Sequence, residues 1–125
     1  MSEPTTIELV LPLRAEHAAH LRLLMASVAS DAGFTVDEID DLRLGVSEVY
    51  TLLLDAADGA DARAEIELTV DGRSISVRLC MVGDSSVPEI DALATTILTS
   101  VLDDFTLVPG GVTMSKRAVE SSPTN

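Results

Sequence analysis

The sequence predicts an α+β fold, a two-layer α/β sandwich in which helices pack on one face of a mixed, mostly antiparallel sheet. Three stretches place apolar residues at the helical spacing of three and four, and five short stretches are rich in β-forming residues. Their order is β-α-α-β-β-α-β-β, and the helices outnumber those needed to connect parallel strands. With 125 residues, the chain has room for one domain (residues 1–125). We expect its core at residues 6–119, between two loose polar ends.

A strand and a helix are predicted at the start of the chain. Residues 6–11 alternate apolar and polar side chains, which is typical of a strand with one buried face, and Pro12 ends it. From residue 14 to about residue 32 the apolar residues recur every three or four positions, which predicts a helix. Gly33 follows as a C-terminal stop, because glycine tolerates the left-handed conformation common after helices.

The second predicted helix, residues 35–57, has the clearest helical pattern in the chain. Thr35 stands three residues before Glu38, so each side chain can accept a hydrogen bond from the backbone amide of the other residue. This arrangement is a capping box. Apolar residues then keep the helical spacing until Asp58 and Gly59, which end the helix.

The second half of the chain is predicted to form two hairpins around one helix. Residues 64–70 and 74–82 are β-type, and an Asp-Gly pair favoured in two-residue hairpin turns joins them. A helix follows over residues 88–104, with a proline as its first residue. Residues 105–108 and 112–119 form the closing hairpin, with a Pro-Gly-Gly turn between them.

The charge balance limits the partners of this chain. It carries 8 basic and 21 acidic residues, a formal net charge of −13. Such a surface repels phosphate backbones and anionic lipids, so we expect no direct contact with nucleic acid or membrane, and a basic protein or a cation is favoured. No apolar run is long enough for a membrane span, and Cys80 has no partner for an internal disulfide, so we expect a cytoplasmic location.

Neither the histidines nor the acidic clusters predict a metal site. His17 and His20 are three residues apart, but no third or fourth ligand is spaced near them. The acids of residues 37–41 and 55–61 lack the glycine-centred loop and the bidentate glutamate of a calcium-binding EF-hand, so we interpret them as solvated surface. The acids of residues 103–104 stand at the unfavourable end of the predicted third helix and indicate either a binding role or a neighbouring arginine.

The most informative motif lies in the second helix, where residues 41–52 read DLRLGVSEVYTL. This stretch resembles a helix of the GHKL (Bergerat-fold) ATPases, in the branch of anti-sigma-factor serine protein kinases, where it is similar to D-[LI]-x-[LI]-A-V-x-E-[AV]-x-T-N. The last helix and hairpin, with LTSVLDDF at residues 98–105 and VTMSKR at residues 112–117, are similar to that branch as well. The resemblance implies the histidine-kinase-like ATPase fold for the whole chain.

The resemblance also implies a nucleotide site, from which this chain departs in three places. Glu48 lies where the family has the carboxylate that orients the nucleophile in phosphoryl transfer. Leu52, one helical turn later, replaces the asparagine that holds magnesium. Met81 replaces the aspartate that binds adenine, although Gly83 of that second motif is kept. The glycine-rich phosphate lid is missing at residues 85–89. We therefore expect a degenerate site without a cofactor, in which Glu48 is vestigial or weak, or simply a surface acid.

Three functions are compatible with these observations. The first is a non-catalytic regulator: in the family, a homodimer binds a sigma factor, and a small STAS-type antagonist releases it. The second is an active serine kinase that phosphorylates the antagonist and requires ATP and Mg²⁺. The third is a non-catalytic interaction subunit unrelated to sigma factors. The resemblance implies that sigma contacts lie near the first helix, where the candidate residues are Arg14, His17, Leu21 and Arg22.

Overall fold

A computed structural model describes residues 3–119 of the chain. These residues contain five strands and three helices in the predicted order. The elements are β1 (Thr5–Pro12), α1 (His17–Asp31), α2 (Val36–Ala56), β2 (Arg63–Asp71), β3 (Ser74–Met81), α3 (Ala92–Val101), β4 (Asp104–Val108) and β5 (Gly111–Arg117). The loose ends predicted at residues 1–5 and 120–125 lie mostly outside the described residues, although Thr5 already belongs to β1.

The strands form one sheet in the order β1-β2-β3-β5-β4, and all neighbours are antiparallel. The predicted α+β fold and element order are confirmed, but the sheet of residues 3–119 has no parallel pair. The two helices in series between β1 and β2 explain this. Since they run out and back, the chain returns to the end of the sheet that it left, and Pro12 pairs with Arg63.

The helices pack on one face of the sheet and bury the core there. Alternate residues of the central strands point toward the helices, and their side chains are almost completely buried. These strand residues are Ile66, Leu68, Ile75, Val77, Leu79, Val112 and Met114. The helices contribute Leu21, Met25, Leu42, Val46, Val49, Tyr50 and Leu98. The residues in between, such as Glu65, Glu67 and Arg78, are exposed on the other face.

The first helix begins at His17 rather than at residue 14, and Tyr50 of α2 holds the turn that precedes it. The buried Tyr50 hydroxyl lies 2.9 Å from the carbonyl oxygens of Pro12 and Arg14. The amide of Arg14 donates to the same hydroxyl at 3.2 Å. Pro12 is the last residue of β1 and fits there because β1 is an edge strand.

The third helix is shorter than predicted at both ends. It begins at Ala92 rather than at Pro88, because Asp91 is its N-cap and accepts a hydrogen bond from the amide of Ala94 at 2.8 Å. It ends at Val101, and Asp103 lies in the turn that follows. The acids predicted to end this helix are therefore not helical: Asp104 begins β4, and Asp103 accepts from an amide of β5 at 2.8 Å.

Candidate functional site

The predicted catalytic and magnesium positions line one open groove. This groove runs between the second half of α2 and the segment that leads into α3, and its volume is about 610 Å³. We call it the acidic groove. The residues that characterise it are Glu48, Leu52, Asp55, Glu89, Asp91 and Leu93. The structure therefore brings Glu48 and Leu52 together on one side of α2, one helical turn apart, as the sequence predicts.

Carboxylates dominate the electrostatics of the acidic groove. Glu48 is half-buried, and Asp55, Glu89 and Asp91 are exposed around it. None of the lining residues is Lys, Arg or His. Within residues 3–119 these four carboxylates form no ion pair, since the ion pairs found there involve Asp40 and Asp41. The groove is therefore a region of negative potential without an internal counter-charge.

The floor of the acidic groove is apolar. Leu52 is half-buried and packs against the hydrophobic core, as does Ile90. At the position where the family resemblance implies a magnesium ligand, the groove thus presents the methyl groups of Leu52 rather than an oxygen, and a hard cation such as Mg²⁺ requires oxygen ligands. The two other candidate cofactor-binding residues, Met81 and Gly83, do not line the acidic groove.

Met81 and Gly83 line a neighbouring, shallower groove at the end of β3. Met81 is half-buried and packs against the core, while Gly83 is exposed and has a φ of 82°. The acids around them are Asp58, Asp61 and Asp84. Ala56 lines both grooves, so the two parts of the predicted nucleotide site are adjacent. Both are bordered by acids.

The segment after β3 is fixed by the turn between β4 and β5, a contact that the sequence did not predict. The amide of Met81 donates to the carbonyl of Gly110 at 2.8 Å, and the amide of Gly110 donates to Ser86 at 2.7 Å. Gly110 has a φ of 84°, and a Cβ there would lie 2.5 Å from the carbonyl oxygen of Asp84. Only glycine, which has no Cβ, permits this close approach. The Pro-Gly-Gly turn is the sequence feature from which this contact could have been predicted.

The side chain of Asp84 stabilises the same segment through hydrogen bonds to Ser86. Its Oδ1 accepts hydrogen bonds from the hydroxyl of Ser86 at 2.6 Å and from the amide of Ser86 at 2.9 Å. These two bonds hold the pKa of the Asp84 carboxyl below its usual value. The Asp84 carboxylate therefore stabilises the turn at residues 84–86.

The candidate partner residues near α1 differ in their exposure. Leu21 is only 1% exposed, so its side chain lies in the core and is not available to a partner. Arg14 is exposed in the turn before α1. His17 is half-buried, with its Nδ1 3.1 Å from that of His20, and Arg22 Nη1 lies 3.4 Å from the hydroxyl of Ser47. The family resemblance made Leu21 a candidate, but its position on the apolar face of α1 places it in the hydrophobic core.

Two absences are observed in the described part of the chain. No group of three or more metal-ligating side chains occurs in residues 3–119, and the paired histidines of α1 have no third ligand near them. None of the helices in the same range is long and apolar enough to cross a membrane.

Comparison with known proteins identifies relatives of this chain. No family model matches it. It is 41% identical over 51 residues to the serine-protein kinase RsbW of Bacillus cereus (strain AH187), and to the same degree to that of Bacillus thuringiensis (strain Al Hakam). Over these 51 residues the chain is homologous to the RsbW serine-protein kinases. Each match spans 41% of this chain and 32% of the relative, so about a third of the length of these RsbW proteins is covered.

The likeness to RsbW extends to the fold of nearly the whole chain. A crystal structure of the RsbU and RsbW domains of Rv1364c from Mycobacterium tuberculosis superimposes with a TM-score of 0.61. The superposition covers 97% of this chain and 35% of that chain, at 14% sequence identity. The family resemblance predicted from residues 41–52 is confirmed, together with the α+β fold of the RsbW type.

Proposed function

We propose that this chain is an RsbW-like regulator that binds a sigma factor, a STAS-type antagonist or both, and that it does not transfer phosphate. Homology to RsbW supports the regulatory class. One observation supports the loss of catalysis: the apolar side chain of Leu52 stands at the magnesium position, in a groove bordered by four carboxylates.

The physical reason is that phosphoryl transfer depends on positioned cations. Mg²⁺ bridges the phosphates and neutralises charge that develops in the transition state. In the acidic groove, a triphosphate would meet Glu48 and Asp55 without a basic residue to offset them. Each phosphate–carboxylate pair at about 4 Å costs about 1 to 4 kcal/mol near a protein surface. Leu52 offers no oxygen ligand that would hold the metal between them.

Calorimetric titration with ATP in excess Mg²⁺ tests the loss of the nucleotide site. We expect no saturable binding up to about 1 mM ATP. The matched variant Leu52→Asn/Met81→Asp carries the residues of the family motif at both positions and should bind more tightly than the unmodified chain. Micromolar binding by the unmodified chain would contradict the proposal.

Co-purification tests the regulatory role. The tagged full chain is mixed with each purified sigma factor and STAS-type protein of the source organism, and complexes are isolated by size-exclusion chromatography. We expect a stable complex with at least one of them. If none forms, the interaction subunit unrelated to sigma factors becomes the better proposal. Light scattering on the same column determines whether the free chain is the homodimer that the family resemblance implies. Such partners would meet this chain in the cytoplasm.

An active serine kinase is the second candidate. It is favoured by the half-buried Glu48, which lines the groove at the catalytic position, and by the kinase name of the relatives. Transfer of labelled γ-phosphate from ATP to a STAS-type protein tests it, with Glu48→Ala as the control. Transfer by the unmodified chain that is absent from the variant would establish the kinase.

A further inference from the structure

We propose that the acidic groove is a docking site for a basic amphipathic helix of a protein partner. The inference rests on the proposed function, because it requires that nucleotide does not occupy the groove. It assigns the partner contact to the α2–α3 side of the molecule, away from the candidate residues of α1. Three properties of the groove support it: its apolar surface, its charge and its length.

The groove contains large apolar side chains that the rest of the described chain does not cover. Leu93, on the first turn of α3, lines the groove and is 69% exposed. Leu52 and Ile90 form the floor beside it. Val87, which lies two residues before Glu89 of the groove, is also more than half exposed. Large apolar side chains left in water along a groove are typical of a surface that packs against another molecule.

The charge of the groove selects a basic occupant. Glu48 and Asp55 on α2 line the groove together with Glu89 and Asp91 before α3, and no cation of the described chain forms an ion pair with them. On a partner helix, Lys or Arg residues on both sides of an apolar stripe would lie next to the acids of α2 and to those before α3. A second copy of the chain is a poor occupant, because it brings its own net charge of −13. A bare metal ion would leave Leu93 exposed.

The length of the groove fits two turns of helix. Glu48 and Asp55 are seven residues apart, which corresponds to about 10 Å along α2. A helix docked alongside would place basic residues about seven positions apart next to these acids. Its apolar residues at positions i, i+3, i+4 and i+7 would face Leu52 and Leu93.

Fluorescence anisotropy with a synthetic peptide tests the proposal. The probe is a labelled 18-residue helical peptide, with leucine at positions i, i+3, i+4 and i+7 and lysines seven residues apart on both flanks. The control peptide has the same composition in scrambled order, so it has equal charge and no apolar face. We expect the full chain to bind the amphipathic peptide at least about tenfold more tightly than the scrambled one at physiological salt.

Variants of the full chain locate the binding site. Glu48→Gln/Asp55→Asn and, separately, Leu93→Ser should weaken binding about tenfold. The matched control Glu65→Gln/Glu67→Gln removes the same charge from the exposed face of β2 and should change affinity less than about twofold. Circular dichroism verifies that each variant is folded. Equal losses in the groove and control variants, or equal binding of the two peptides, would overturn the proposal.

Addition of ATP with Mg²⁺ separates this inference from the proposed function. If the peptide binds the unmodified chain and ATP displaces it, nucleotide and peptide share the groove: the proposed loss of the nucleotide site fails, and the docking inference stands. If neither nucleotide nor peptide binds, the proposed function stands and the docking inference alone is overturned.

Discussion

At the scale of single residues, Glu38 has a larger role than its capping motif predicts. The capping box is present: Oε1 accepts from the amide of Thr35 at 2.8 Å, and the amide of Glu38 donates to the Thr35 hydroxyl at 3.2 Å. The other oxygen, Oε2, accepts from the amide of Val119 at 2.6 Å. The buried carboxylate thus ties the segment after β5 to the start of α2, which is a contact between residues 81 positions apart.

Glu38 makes the stability of the fold sensitive to acid. The hydrogen bond from the Thr35 amide, followed by that from Val119, lowers the pKa of the Glu38 carboxyl from its ordinary value of 4.5. A carboxyl whose pKa is lower in the folded state contributes stability above its unfolded pKa, and this stability is lost as the pH falls through the folded pKa. We expect the free energy of unfolding to fall below about pH 4.5, and to fall less steeply in Glu38→Gln. Urea titrations from pH 7 to pH 3 measure it; equal slopes in the two proteins would contradict the assignment.

Tyr50 fixes the turn that leads into α1. Its hydroxyl is the common partner of the backbone of Pro12 and Arg14. Tyr50→Phe should lower the free energy of unfolding by about 1 kcal/mol, because part-buried backbone groups lose their hydrogen-bond partner. Hydrogen exchange of the amides of residues 13–17 should accelerate more than that of β3. A variant with unchanged exchange in that turn would show that the hydroxyl does not hold it.

At the scale of elements, the close approach of β5 to β3 depends on Gly111. A Cβ on Gly111 would collide with the backbone carbonyl of Leu79, and backbone atoms cannot move aside as a flexible side chain can. We expect Gly111→Ala to destabilise the protein by about 3 kcal/mol. The control is Gly72→Ala, in a turn where φ is 62° but nothing lies near the added methyl group, with an expected cost of about 1 to 2 kcal/mol. Chemical denaturation measures both; an equal cost would exclude the collision.

At the scale of the whole molecule, the net charge opposes folding. The formal charge is −13, and two ion pairs form within residues 3–119, Arg43 with Asp40 and Lys116 with Asp41. On the open face of the sheet, Glu8 pairs directly with Glu67, and like charges at such positions are destabilising. Mutual repulsion between exposed carboxylates is screened by salt.

We therefore expect the protein to become more stable as ionic strength rises. The free energy of unfolding should increase between about 0.01 and 0.15 M NaCl, because the screening length shortens from about 30 to about 8 Å. Glu8→Lys places a cation opposite Glu67 and should raise stability at low salt while reducing the increase with salt. Thermal unfolding at both salt concentrations measures the effect, and a decrease in the melting temperature with salt would contradict it.

The amino-acid sequence was enough to predict the order of the elements and the buried faces of the helices and strands. Those properties follow from local periodicity, caps and turns, such as the capping box at Thr35 and Glu38 and the glycine turn before β5. The predicted start of α3 at Pro88 was wrong, because the side chain of Asp91 caps the helix three residues later. The three-dimensional structure was needed to show that Glu38 accepts a hydrogen bond from Val119 and that Glu48, Asp55, Glu89 and Asp91 line one groove with Leu52. The reason is that these contacts join residues far apart in the chain, and side-chain spacing along one element does not determine which other element covers it.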